Sequence, residues 1–127
     1  MNETPNQEIV NDTAKLIMHR LIARRLAHDP SLVKRAKASH ERMAMRFLDR
    51  TFVQEWKGLL ELSPDRLRNL LTSRHAEMRR LRLSSPFVTA EGIDFTEPNL
   101  RRRIRRAAKR IVERGTPGRR TVSTAAA

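Results

Sequence analysis

The placement of three prolines constrains this chain more than any other feature. Pro30, Pro64 and Pro98 each follow a short polar segment and precede apolar residues spaced by three and four. Proline lacks the amide hydrogen that a helix interior needs, yet in a first turn those amides have no intrahelical partner, so nothing is lost. Such punctuation, repeated along a chain, describes helices laid end to end. Strand-forming residues are sparse: there is no Tyr, and the only aromatics are Phe47, Phe52, Trp56, Phe87 and Phe95. At 127 residues the chain has the length of one domain. The expected fold is all-α, a small bundle of five to six helices with a basic C-terminal helix and a disordered tail. Residues 1–10 read as a flexible N-terminus, 11–114 as a single helical domain and 115–127 as the tail.

The first helix is expected from an Asn11-Asp12-Thr13 cap to about His28, and the second from Asp29-Pro30, with an antiparallel hairpin between them. Helix two presents Leu32, Ala36, His40, Met43 and Phe47 on one side. Thr51 and Gln54 fit a capping box for a third helix whose apolar face is Phe52, Trp56, Leu59 and Leu60. Ser63-Pro64-Asp65 repeats the cap-then-proline device ahead of Leu67, Leu70 and Leu71, and Thr72 or Ser73 caps a short basic helix. Residues 84–99, broken by Pro86, Gly92 and Pro98, read as a loop anchored by Phe87 and Phe95. Thr96 is the expected cap of the last helix and Gly115 its C-terminal stop.

Charge narrows the function classes. Lys and Arg number 27 against 14 Asp and Glu, a net +13 that attracts polyanions or an acidic partner. Residues 100–127 hold 10 basic groups and one acidic group, whereas the first 99 hold 17 and 13. Within "NLRRRIRRAAKRIVERG" (99–115), Leu100, Ile104, Ala107, Ala108 and Ile111 fall in one helical stripe, with Val112 at its edge. Arg102, Arg105, Arg106, Lys109 and Arg110 spread over the opposite side, and Arg101 and Arg103 flank the stripe. A merely solvated face would mix in glutamates, and this one has only Glu113. These seven cations are the candidate contacts for nucleic acid or an acidic partner. No membrane role is expected: the apolar stripe is mostly Ala and Ile with no aromatic, and no apolar run approaches the length of a span.

Catalytic groups are not evident. There is no cysteine, no Gly-rich phosphate loop and no clustered carboxylate pair, and glycine totals four. His19, His28, His40 and His75 lack the helical spacing with an acidic partner that a metal site needs. No catalytic, metal or cofactor residue is assigned, and the protein is not expected to be an enzyme. The opening residues lack the basic-then-apolar order of a signal peptide, so a cytoplasmic protein is expected. The segment "SPDRLRNLLTSRHAEMRRLRL" has helix–break–helix form but not the glycine-containing turn of a helix-turn-helix. After it, "LRLSSPF" reads as an exposed turn. Arg79, Arg82, Ser84, Ser85, Pro86 and Phe87 form a candidate partner-binding set, with Phe87 also a core anchor.

Three segments carry a resemblance: "ARRLAHDPSLVKRA", then Trp56 with Leu59-Leu60 and Leu70-Leu71, then "LRLSSPF". Over roughly residues 14–90 the chain resembles a loosely defined group of small bacterial proteins, many of them similar to antitoxin halves of toxin–antitoxin pairs. The resemblance implies neutralisation of a cognate toxin by binding, with the toxin encoded by an adjacent gene. After Phe87 the chain departs from the group, running through "VTAEGIDFTEPNL" into the arginine-dense helix. That helix is expected either to complete the grip on the toxin or to bind operator DNA. The alternative is a small basic DNA- or RNA-binding regulatory or accessory protein with no toxin partner.

Overall fold

The computed structural model describes residues 6–93 and 95–115. Its architecture is all-helical: α1 (Gln7–His28), α2 (Leu32–Arg46), α3 (Thr51–Leu60), α4 (Pro64–Leu71), α5 (Ala76–Arg82) and α6 (Pro98–Arg114), with no strand among the described residues. The long helix α1 is the hub and packs against α6, α4 and α5, while α2 packs chiefly against α3. Its buried residues Val10, Ala14, His19, Ile22 and Leu26 spread over about half its circumference. A helix serving several neighbours needs more than a single stripe.

The helix boundaries follow capping chemistry. α1 begins earlier than expected because the Asn6 side chain accepts from the amides of Glu8 (2.7 Å) and Ile9 (3.3 Å), leaving Asn11, Asp12 and Thr13 inside the helix. At α4 the Ser63 hydroxyl accepts from Arg66 N at 3.4 Å, with Pro64 in the first turn as expected. α2 starts after Pro30, at Leu32; Asp29 accepts side-chain bonds from Ser31 and Arg35, and the Ser31 backbone also acts on its carboxylate. Arg50, in a turn closed by its N–H on Phe47 O at 3.0 Å, is the N-cap of α3, so Thr51 is helical and the expected capping box is absent. His75 takes the N-cap position of α5, with its amide donating to Ser73 Oγ.

The short link 29–31 joins α1 to α2, which touch only lightly, and the loop before α6 ties both helices. Arg25 of α1 donates to Gly92 O at 2.8 Å, and Arg35 of α2 donates to Glu91 O at 3.3 Å. Gly92 has φ +91°, and a Cβ there would stand 2.6 Å from Arg35 Nη1, so the clamp requires glycine. Phe87, Ala90 and Phe95 carry this segment into the core around Trp56, as the aromatic anchors led one to expect. Phe47 departs from the predicted face of α2. As the C-cap it lies 40% exposed and packs on Phe52 with centroids 5.9 Å apart.

Candidate nucleic-acid interface

Helix α6 opens on Pro98, Asn99 and Leu100 and then runs through three consecutive arginines, 101–103, near the end where the backbone dipole is positive. Glu97 makes that start tolerable. Its carboxylate accepts from Asn99 N at 3.1 Å and Leu100 N at 2.8 Å, so it, and not Thr96, is the N-cap. At the other end Gly115 has φ −86° and its amide donates to Ile111 O, so no left-handed cap forms.

The helix runs antiparallel to α1. Leu100 meets Leu21 and Ile22 near one end, while farther along Arg105 reaches Asn11 Oδ1 (3.0 Å) and the Gln7 side chain. Ile104 and Ala108 are buried; Leu100, Ala107 and Val112 are half-buried. The stripe therefore follows the 100–104–108–112 row and leaves Ile111, expected within it, 43% exposed.

Arg101, Arg102, Arg103, Arg105, Arg106, Lys109 and Arg110 are all exposed, as their pattern predicts. At 100° per residue Arg101 and Arg105 lie on one flank, Arg102, Arg106 and Lys109 on the crest, and Arg103 and Arg110 on the other flank. None of these seven takes part in an ion pair among the described residues. Neutral amides hold two of them instead: Asn11 and Gln7 hold Arg105, and Asn99 accepts from Arg102 at 2.9 Å. An amide orients a guanidinium without cancelling its charge.

Between α6 and α1 lies an open groove of about 540 Å³ lined by Lys15, Arg101, Arg102 and Arg105, with no carboxylate among its lining residues. Lys15 is half-buried, and burial together with the Arg101 charge holds its ammonium pKa below the ordinary lysine value. Sequence reading missed Lys15. The signal was a lysine between Ala14 and Met18 on an otherwise apolar side of α1. The resulting site is a positively charged ridge and furrow in which every charged lining group is a cation, suited to phosphate oxygens.

The "LRLSSPF" turn is placed differently from its expected role. Trp56 Nε1 donates to Leu81 O (3.0 Å) and Ser84 Oγ (3.3 Å), and the Trp56 and Phe87 rings meet edge-on at 6.3 Å. Ser85, Pro86 and Phe87 are buried, with Ser85 Oγ accepting from Phe87 N. Arg82 is buried too and donates through Nη1 to Leu71 O (3.0 Å) and Ser73 O (2.7 Å). The segment is thus folded onto the indole, and Ser85, Pro86 and Phe87 are withdrawn from a protein partner, while Arg82, though buried, lines a pocket beside α1. Ser84 is half-buried, and of the six only Arg79 is fully exposed.

His19 and His40 are core residues: His40 Nε2 contacts Val53 O at 2.7 Å, and His19 Nδ1 contacts Lys15 O at 2.7 Å. His28 and His75 are exposed. Among the described residues no three His, Asp or Glu side chains gather as metal ligands, and no helix is long and apolar enough to cross a membrane. Compared with known protein families, curated proteins and solved structures, the chain matches none.

Proposed function

We propose that this protein binds nucleic acid through phosphate contacts made by α6 and the α1–α6 groove. One observation carries the reading: seven cations exposed on both flanks and the crest of one helix, none neutralised by a described carboxylate. Phosphates border a nucleic-acid groove on both sides, so cations on both flanks suit a helix lying along it. α6 has 17 residues, about 25 Å of helix, enough to follow the backbone over several nucleotides. The binding is expected to be electrostatic and largely independent of sequence.

Fluorescence anisotropy with a labelled DNA duplex tests this. If about six cations engage phosphates, affinity falls on the order of 1,000-fold between 50 and 200 mM salt. Replacing Arg102, Arg106, Lys109 and Arg110 together by Gln lowers the salt slope by about 3–4. Equal, weak binding by wild type and variant removes the proposal.

The toxin-neutralising alternative rests on a surface that keeps only the Leu83–Ser84 part of the turn read in the sequence and adds the α2–α3 corner. Met45 and Leu48 are exposed at the α2–α3 corner, and Phe47 there lines a depression with Leu83, itself 59% exposed. An apolar corner of this kind suits a protein partner. Co-expression with the products of adjacent genes tests it: a toxin co-purifies with wild type and is lost with Met45→Asp and Leu48→Asp. Neighbours that neither co-purify nor harm the cell alone count against it.

A further inference from the structure

The α6 groove is not the only basic concavity. Arg20 of α1, Arg74 of the α4–α5 link, and Arg79 and Arg82 of α5 converge on a second pocket of about 380 Å³. Its α1 residues, Asp12, Leu16 and Arg20 among them, lie about half a turn round the helix from Asn11, Lys15 and Met18 of the first groove. The two sites therefore occupy opposite faces of α1.

Arg82 is the unusual member. It is 1% exposed, yet no described carboxylate pairs with it, and its Nε has no hydrogen-bond partner. Part of its presence has a structural account. The Nη1 bonds to Leu71 O and Ser73 O cover the C-terminal end of α4, where the helix dipole favours a cation. That account does not extend to the other arginines. Arg20, Arg74 and Arg79 are exposed around it and enter no described ion pair, and Asp12 is the only acid lining the pocket. Burial lowers the Arg82 pKa, Asp12 opposes the shift, and Arg79 and Arg20 add to it. A buried cation facing like charges is costly unless an anion completes the site.

Apolar side chains complete the lining. Leu16 forms part of the wall, and Ile9 and Ile111 stand 51% and 43% exposed beside the arginines. The volume exceeds what a bare phosphate fills and lies in the range of small-molecule sites. We propose that this pocket binds a phosphomonoester dianion attached to an organic group of about nucleotide size. The phosphate sits among Arg20, Arg74, Arg79 and Arg82, and the organic part lies against Ile9, Leu16 and Ile111. Arginine suits this ligand because its planar fork gives paired hydrogen bonds to phosphate oxygens. Two negative charges also match four guanidiniums and one carboxylate better than a single carboxylate or diester would.

The test uses the full chain in thermal-shift and calorimetric titrations with inorganic phosphate, adenosine 5′-monophosphate and adenosine, at ionic strength matched with sodium chloride. The monophosphate gives saturable stabilisation, inorganic phosphate a weaker one and adenosine none. Arg20→Gln and Arg79→Gln, both at exposed positions, each weaken the monophosphate about tenfold. Arg106→Gln on α6 leaves it unchanged, and Arg79→Gln leaves the salt slope for duplex DNA unchanged. Oligonucleotides with a 5′-phosphate or a 5′-hydroxyl distinguish the source. A preference for the phosphorylated end that Arg79→Gln abolishes assigns the monoester to nucleic-acid termini; monophosphate binding without that preference assigns it to a free metabolite. Either phosphate probe behaving like sodium chloride at equal ionic strength, or equal weakening by Arg106→Gln, overturns the proposal.

Discussion

His19 is a base enclosed among cations. Its Nδ1–H donates to Lys15 O, which leaves Nε2 as a buried lone pair with no partner, and Lys15 and Arg82 are its charged neighbours. Burial is the largest cause of a pKa lowered from 6.5 to about 4; the hydrogen bond to Lys15 O opposes it, and the two cations add to it. As pH falls, the unfolded chain therefore takes up a proton at this site before the folded chain does. Stability from the neutral imidazole is complete above about 6.5, erodes between there and about 4, and changes no further once both states are charged. The linkage amounts to about 2 kcal/mol by pH 5. Urea unfolding followed by the emission of Trp56, the only tryptophan, measures this directly. The midpoint should fall between pH 7.5 and 5 in wild type, and His19→Leu should remove most of that slope. An undiminished slope in the variant places the titration elsewhere. The sequence identified four histidines but could not single out this one, because burial by α1's several neighbours is a property of the assembled bundle.

At the scale of elements, the caps decide where helices start, and they also separate what was legible from what was not. Ser63-Pro64 was readable because cap and proline are adjacent and act on the same turn. Asn6 was missed because the better cap triplet, Asn11 to Thr13, lies inside a helix that tertiary packing extends toward its N-terminus. Thr96 and Glu97 compete for one role, and the longer carboxylate wins because it reaches two amides and brings a negative charge to a helix start that leads into three arginines. Glu97→Ala should thus cost about 1 kcal/mol, or roughly 4 °C in Tm. Amide exchange should quicken first at Asn99 and Leu100, whose N–H groups lose their acceptor. Unchanged protection at those amides contradicts the assignment of the cap. The "LRLSSPF" turn failed as a surface prediction for a related reason. Its serines and arginine look solvent-seeking in sequence, but Ser84 meets an indole 28 residues away, Ser85 caps the Phe87 amide and Arg82 binds carbonyls at the end of α4.

For the whole molecule, the net charge of +13 sets a conflict between stability and the proposed binding. α6 carries like charges four residues apart at 101–105, 102–106, 105–109 and 106–110. Each such pair is unfavourable by about 0.2–0.5 kcal/mol in low salt, and the three leading arginines oppose the helix dipole as well. A helix kept only as a cover for α1 would gain from glutamines or glutamates at its exposed positions, since their helix propensity is close to that of Arg and Lys. The Arg102, Arg106, Lys109 and Arg110 to Gln variant should accordingly be more stable than wild type, by about 1 kcal/mol at low ionic strength. The same variant should lose most of its affinity for DNA. Wild-type Tm should rise as salt goes from about 20 to 300 mM, and the variant's should rise less, because screening has fewer repulsions left to relieve. Duplex DNA should stabilise wild type and leave the variant's Tm nearly unchanged. A variant no more stable than wild type that still binds DNA would show these cations to be an ordinary solvated surface; greater stability with binding lost ties the charge density of α6 to its ligand.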